Sequence, residues 1–258
     1  MHSSHAKVRP ITGYRHRPEP RHQGAPLNSG ITMEALAEDA LLLRFGESID
    51  PATNARVHAA RRQVQARWPD IECVPAYASL LLRFDPAQWG GTDPHQRLHE
   101  AVRALLDDTP ESSDIGREVI IPVLYGGEFG PDLGDVARHA AIPEQEVIAR
   151  HGAATYRVAM LGFAPGFPYL LGLDPMLAMP RRADPRLRVA AGSVAIGGLQ
   201  TGIYPQTLPG GWQLIGRTPL SLFALHAPSP SLLQPGDRVR FRAIDQREYD
   251  QLATMGQR

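Results

Sequence analysis

The sequence is nearly empty of lysine and cysteine. Lys7 is the one lysine in 258 residues, and arginine supplies the rest of the 27 basic side chains. A phosphate-loop lysine, a Schiff-base lysine and a biotinyl-lysine are therefore excluded beyond residue 7. Recognition of a carboxylate or nucleotide falls to arginine and to backbone N–H groups. Cys73 is the single cysteine and has no internal disulfide partner. Within the strand-like run IECVPAYASLLLRF it reads as a small core residue rather than a nucleophile. No apolar run approaches the roughly 18 to 20 residues that span a bilayer. The N-terminal region has no apolar segment of signal-peptide type, so the expected location is the cytoplasm. Acidic residues also number 27, and this balance argues against nucleic acid or a membrane surface as partner. A small molecule or another protein is the expected partner.

A second gap is local. Residues 185–218 contain no Asp, Glu or Lys, which rules out paired-carboxylate acid–base chemistry from this region alone. What the region does hold is donors. Arg186, Arg188 and Arg217, the side chains of Ser193, Gln200, Thr201 and Thr218, and the phenol of Tyr204 suit an anionic or amide-bearing small molecule. Gln200, Tyr204, Arg217 and Thr218 are the substrate-binding candidates. Residues 162–219 also carry ten of the 24 glycines and eight of the 24 prolines, a density that tight turns and barrel corners require as much as a site does. Acid–base candidates lie upstream. Glu128, in YGGEFGPDL, sits on a tight glycine-flanked loop and reads as either a turn carboxylate or a catalytic group. His151, near the end of a short helix, reads as either a helix-terminal cation or a base. Serine-nucleophile, zinc, cysteine-pair and phosphate-loop motifs are all missing, and no metal site is expected.

Along the chain, residues 1–37 hold His2, His5, His16 and His22 among scattered Pro, Gly and Ser, and read as a disordered leader. A strand follows over 39–46, then a helix over 50–69 with Asp50 as N-cap and Pro51 at its first position. Two strands follow in IECVPA and ASLLLRF, a helix begins at Asp93-Pro94, and a strand runs through REVIIPVLY. This β-α-β-β-α-β order predicts a ferredoxin-like α+β domain over 38–122. Two short helices come next, one starting at Asp132 or Asp135 and one at Pro143. Short strands broken by Gly and Pro then predict a closed or nearly closed β-barrel over 123–245, with a C-terminal tail over 246–258. GFAPGFPYLLGLDP, residues 162–175, is too apolar for a solvated linker and reads as a rigid packed crossover that forms a pocket wall or lip.

Four stretches in fixed order carry a resemblance: LYGGEFGPDLGDVA, EVIARHGAATYRVAMLGFAPGFPYLLGL, PRLRVAAGSVAIGGLQTGIYP and PGGWQLIGRTPLSLF. Together they resemble the family that comprises the B subunit of 5-oxoprolinase, allophanate hydrolase subunit 1 and KipI-type histidine kinase inhibitors. The resemblance implies a ferredoxin-like part followed by a cyclophilin-like barrel. It also implies two partners, a C subunit with a related barrel and an A subunit. The implied reaction is ATP-dependent opening of the lactam of 5-oxo-L-proline to L-glutamate, with ATP used by the complex. A urea carboxylase-type carboxyltransferase component and a kinase inhibitor are the alternatives. Ala190 stands where the family pattern has proline, Ala195 where it has glycine, and Thr207-Leu208 where it has an acidic residue and a serine.

Overall fold

Apolar residues alternate through the first half of the chain and set up a four-stranded sheet backed by helices. The structure, a computed structural model, describes residues 30–107 and 116–255. The four leader histidines lie outside the described residues. Strands β1 (Thr32–Ala37), β2 (Ala40–Arg44), β3 (Glu72–Pro75) and β4 (Ser79–Arg83) form a sheet of order β1-β2-β4-β3, with every neighbouring pair antiparallel. Leu41 and Leu43 of β2 and Leu80 and Leu82 of β4 fall on one face by the two-residue period. They are buried together with Val57, Ala60 and Val64 of helix α1 (Pro51–Arg67) and Leu98 and Val102 of helix α3 (Pro94–Asp107). Each such Leu or Val side chain contributes about 1.5–3 kcal/mol on removal from water. The expected α1 start is observed: the Asp50 carboxylate accepts from the Thr53 N–H at 2.8 Å, with Pro51 next. The one-turn helix α2 (Pro86–Trp89) precedes α3.

Two expectations are corrected here. The leader expected to reach residue 37 is already a strand from Thr32, because Ile31 and Met33 are apolar enough to join the core. The strand expected to complete the first sheet, β5 (Glu118–Tyr125), does not join it. It enters the barrel instead, and β1 occupies the sheet edge beside β2. Strand β5, which spans the expected division at 122/123, belongs to the barrel along its whole length.

The second part is a closed seven-stranded barrel of order β10-β7-β6-β13-β5-β12-β9. Its strands are β5, β6 (Tyr156–Leu161), β7 (Pro168–Leu171), β9 (Ser193–Gly197), β10 (Gln200–Ile203), β12 (Gln213–Arg217) and β13 (Arg238–Ala243). Strands β5 and β13 are parallel, and the remaining pairs are antiparallel. Residues 162–175 are therefore only partly a crossover, since Pro168–Leu171 is a barrel strand. Inward residues such as Ile121, Val158, Leu170, Val194, Ile196, Ile203 and Ile215 are fully buried. Helices α4 (Leu133–Ala140) and α5 (Glu144–Ala153) follow β5, a two-stranded ribbon of β8 (Arg186–Val189) and β11 (Leu208–Gly210) lies outside the barrel, and α6 (Gln246–Met255) forms where a tail was expected. No described helix is long and apolar enough to cross a membrane.

The two parts meet at a strand irregularity. Between Val158 and Met160 the β6–β7 register shifts, which turns the Ala159 carbonyl out of the ladder. That oxygen accepts from His58 Nε2 at 3.1 Å and Asn54 Nδ2 at 3.4 Å, both on α1. The same Asn54 amide donates to the carbonyls of Ala76 and Tyr77 at 3.1 and 3.2 Å. Asn54 is wholly buried, so truncating it strands several carbonyls at once. Asn54→Ala is expected to lower the stability of the full chain by about 1–3 kcal/mol, read from urea unfolding. A change below about 0.5 kcal/mol, the size of an ordinary surface substitution, would show that the junction does not depend on this amide.

Candidate functional site

Alternation along β9, β10 and β12 sends one set of side chains into the barrel and the other outward. The outward set, Ala195 and Leu214 with the flanking Tyr204 and Trp212, joins Phe167 and Val189 in a separate apolar cluster. Over this outer face lies a cavity of about 300 Å³ lined by Phe163, Phe167, Tyr169, Tyr204 and Trp212, by Arg181 and Arg182, and by the bare backbone of Gly210 and Gly211 with Pro185 and Pro209. The rings meet edge to face: Phe167 stands 5.2 Å from Tyr204 and 5.8 Å from Trp212 between centroids. Two glycines make this packing possible. A Cβ on Gly197 would come within 2.6 Å of the Trp212 ring, and one on Gly202 within 3.1 Å of it. Phe163 at the rim adopts φ 69°, a left-handed backbone unusual for a bulky residue, and is 62% exposed.

A buried carboxylate fixes the rim. Asp132 precedes α4, yet its side chain does not cap that helix. It accepts instead from Arg186 Nη2 at 2.7 Å, from the Leu214 N–H at 2.7 Å and, more loosely, from Arg182 Nη1 at 3.4 Å. One carboxylate thus ties together the start of α4, strand β12, strand β8 and the arginine-bearing segment before β8. Arg181 is exposed and is not part of that network. Its guanidinium lies 5.8 Å from the Trp212 ring centroid. Chemically, the arrangement suits a small, flat, partly apolar molecule carrying negative charge.

The sequence candidates do not converge on one point. Tyr204 lines the cavity and is buried there; burial raises its phenol pKa. Gln200 sits at the start of β10 beside the Tyr77 phenol. Arg217 lies at the far end of β12, its guanidinium 5.2 Å from the Phe129 ring centroid and next to the Tyr249 hydroxyl of α6. Thr218 is buried, and its hydroxyl accepts from the Leu220 N–H at 3.3 Å, closing the turn after β12. Glu128 is exposed on the glycine loop preceding α4. These last three belong to the α6 end, away from the aromatic cavity.

His151 requires a correction. Expected as a helix-terminal cation or a base, it is fully buried within the barrel. Its ring stacks on Phe241 at 4.4 Å. Tyr125 Oη donates to Nδ1 at 2.8 Å. The Thr201 hydroxyl donates to the Ala195 carbonyl, so it accepts from His151 Nε2–H at 3.1 Å. Both ring nitrogens are engaged and the ring is sealed from solvent, which leaves it no proton to exchange with a substrate. Burial lowers its pKa from 6.5 to about 3. Among the described residues, no group of three or more His, Cys, Asp or Glu is placed to hold a metal ion.

A family model described as carboxyltransferase domain, subdomain C and D, matches residues 31–233. The chain belongs to the carboxyltransferase subdomain C and D family. Within the family it is 57% identical over 213 residues to the 5-oxoprolinase B subunit of Haemophilus influenzae, covering 80% of this chain and 94% of that one. It is 43% identical over 226 residues to the 5-oxoprolinase B subunit of Bacillus subtilis, covering 84% and 94%. The crystal structure of TTHA0988 superposes with a TM-score of 0.69 at 38% identity over 80% of this chain, which spans 40% of that larger polypeptide.

In this carboxyltransferase-family chain, sequence reading missed Asp132 as an ion-pair centre and Arg181 as a rim cation. Asp132 was read only as a helix start; it does stand at the N-cap of α4, but its carboxylate accepts from Arg186, Arg182 and the Leu214 N–H instead of capping the helix. Arg181 lies four residues before the carboxylate-free window at 185. A sequence signal was present in PRRADPR, a pair of arginines held between prolines.

Two outcomes follow from these placements. Asp132→Ala leaves Arg186 and the Leu214 N–H without their acceptor and is expected to cost about 3 kcal/mol or more in urea unfolding; Asp132→Asn, which keeps an acceptor for Leu214, is expected to lose less. His151 concerns pH. Its folded-state pKa lies below the unfolded value of 6.5, so the unfolded chain binds the extra proton. Stability is then lost as pH falls from about 6.5 toward 3, at up to about 1.4 kcal/mol per pH unit from this group. His151→Gln is expected to show a shallower fall in unfolding free energy between pH 7 and pH 5 than the parent; equal falls would mean that His151 is not held neutral.

Proposed function

We propose that the chain is the B subunit of an ATP-dependent 5-oxoprolinase, a hydrolase complex that opens the lactam of 5-oxo-L-proline to L-glutamate. The observation that carries this reading is 57% identity over 213 residues, spanning 94% of a relative named as the B subunit of 5-oxoprolinase. In this reading the barrel is of cyclophilin-like type. The N-terminal domain is a variant of the ferredoxin-like layout whose outer strand comes from the N-terminal side, and the two domains divide between α3 and β5.

The chemistry divides naturally between subunits. A lactam is a poor electrophile; phosphorylating its oxygen with ATP makes a good leaving group for attack by water. This chain offers binding surface and donors, with Tyr204 as a wall of the substrate pocket. Its glycine loop is a poor phosphate cradle: the N–H groups of Gly126, Phe129, Gly130, Asp132 and Leu133 all donate to carbonyls within the chain, and the Asp132 carboxylate stands at the helix start. We therefore assign ATP binding and the catalytic base to the partners, an A subunit and a C subunit with a related barrel, with the complex in the cytoplasm where ATP is available. TTHA0988, of which this chain spans two fifths, carries further polypeptide on the same chain, as such a pairing would require.

The test is 5-oxoproline-dependent ATP hydrolysis by purified chains. No turnover is expected from this chain alone, and turnover is expected when A and C subunits from the same genome are added. A three-component mixture that remains inactive, while each chain is folded, would sink the assignment.

A further inference from the structure

Three arginines line the segment that leads into β8, and they are not equivalent. Arg186 and Arg182 share the Asp132 carboxylate. Arg181 has no carboxylate partner among the described residues, and its guanidinium faces the Trp212 ring at 5.8 Å. No carboxylate lines the aromatic cavity that it borders. The positive charge of Arg181 also reaches three phenols: burial raises the pKa values of Tyr77, Tyr169 and Tyr204, and Arg181 opposes the rise in each. Arg181 is thus an exposed guanidinium without an ion-pair partner at the rim of partly desolvated rings, a setting that suits one anion. At about 300 Å³, the cavity lies at the small end of ligand pockets, which run from about 300 to 1,000 Å³.

We infer that this cradle is a carboxylate-selective pocket for a small flat ring, with Arg181, rather than Arg217, holding the carboxylate and Trp212 and Tyr204 enclosing the ring. The identity of the natural ligand as 5-oxoproline rests on the function proposed above; the pocket and its anchor do not. Arg217 is unsuited to the role because it is stacked on Phe129 and engaged with Tyr249 at the other end of β12. Trp212 is held in place by Gly197, where any side chain would displace it.

The experiment is a titration of the full chain, following the Trp212 indole N–H resonance, which is assigned by its loss in Trp212→Phe. The probes are 5-oxo-L-proline, cyclopentanecarboxylate and the uncharged 2-pyrrolidinone. Both acids are expected to shift the resonance, with 2-pyrrolidinone binding at least about tenfold more weakly and Arg181→Met weakening both acids at least about tenfold, the loss of one charge-assisted contact. Arg217→Met is expected to leave acid binding unchanged. Equal affinity for the neutral lactam, unchanged binding in Arg181→Met, or no shift with either acid would each overturn the proposal. The functional assignment fails separately: cyclopentanecarboxylate binding that depends on Arg181, alongside an inactive three-component mixture, would uphold the pocket and reject the 5-oxoprolinase reading.

Discussion

The outer face of the barrel is organised by one buried carboxylate. Asp132 is 2% exposed, and a charge so placed is tolerable only because an N–H and two guanidinium groups surround it. The consequence is geometric. Its partners come from β12, from β8 and from the segment just before β8, so the ribbon, Arg182 and Arg186 are tied to the barrel wall rather than hanging free. Without that tie the aromatic cavity would lose one side, since Pro185, Gly210 and Gly211 all belong to the segments it holds. Asp132 forgoes capping α4 to do this, and Asp135 in the first turn of the helix remains to favour its N-terminal dipole.

The elements that were legible in the sequence are those governed by local rules. Asp50-Pro51 and Asp93-Pro94 mark helix starts because a carboxylate acceptor and a preset φ act within one turn. The barrel was legible as a density of short strands between glycines and prolines. Sheet membership was not. REVIIPVLY has the alternation of a strand in either setting, and only long-range pairing with β13 and β12 decides for the barrel. The start of the N-terminal sheet was hidden for a related reason: Ile31 and Met33 are too few apolar residues to stand out from a polar leader, yet they suffice once β2 offers a ladder.

The candidate site was legible in composition and illegible in arrangement. Tyr204, a substrate-binding candidate, lines the aromatic cavity. His151 was misread because a histidine near a helix end looks alike whether it faces water or a barrel core; the distinction lies in Tyr125, Thr201 and Phe241, which come from three different strands. Arg217 was offered as a substrate donor from a region without carboxylates, whereas the structure gives it an aromatic partner and a hydroxyl.

The filled interior leaves the chain few places to do chemistry. His151, Tyr156 and Phe241 pack the barrel where a larger barrel would hold a ligand, and the aromatic cavity lies on its outer face. No carboxylate lines the outer cradle, so its lining offers no Asp or Glu as a general base. In the proposed reading, the absence of Asp and Glu from residues 185–218 favours an anionic ligand, and proton transfer and phosphate handling fall to the proposed partners. The same lack of acidic residues that first marked this region is what the proposed division of labour between subunits rests on.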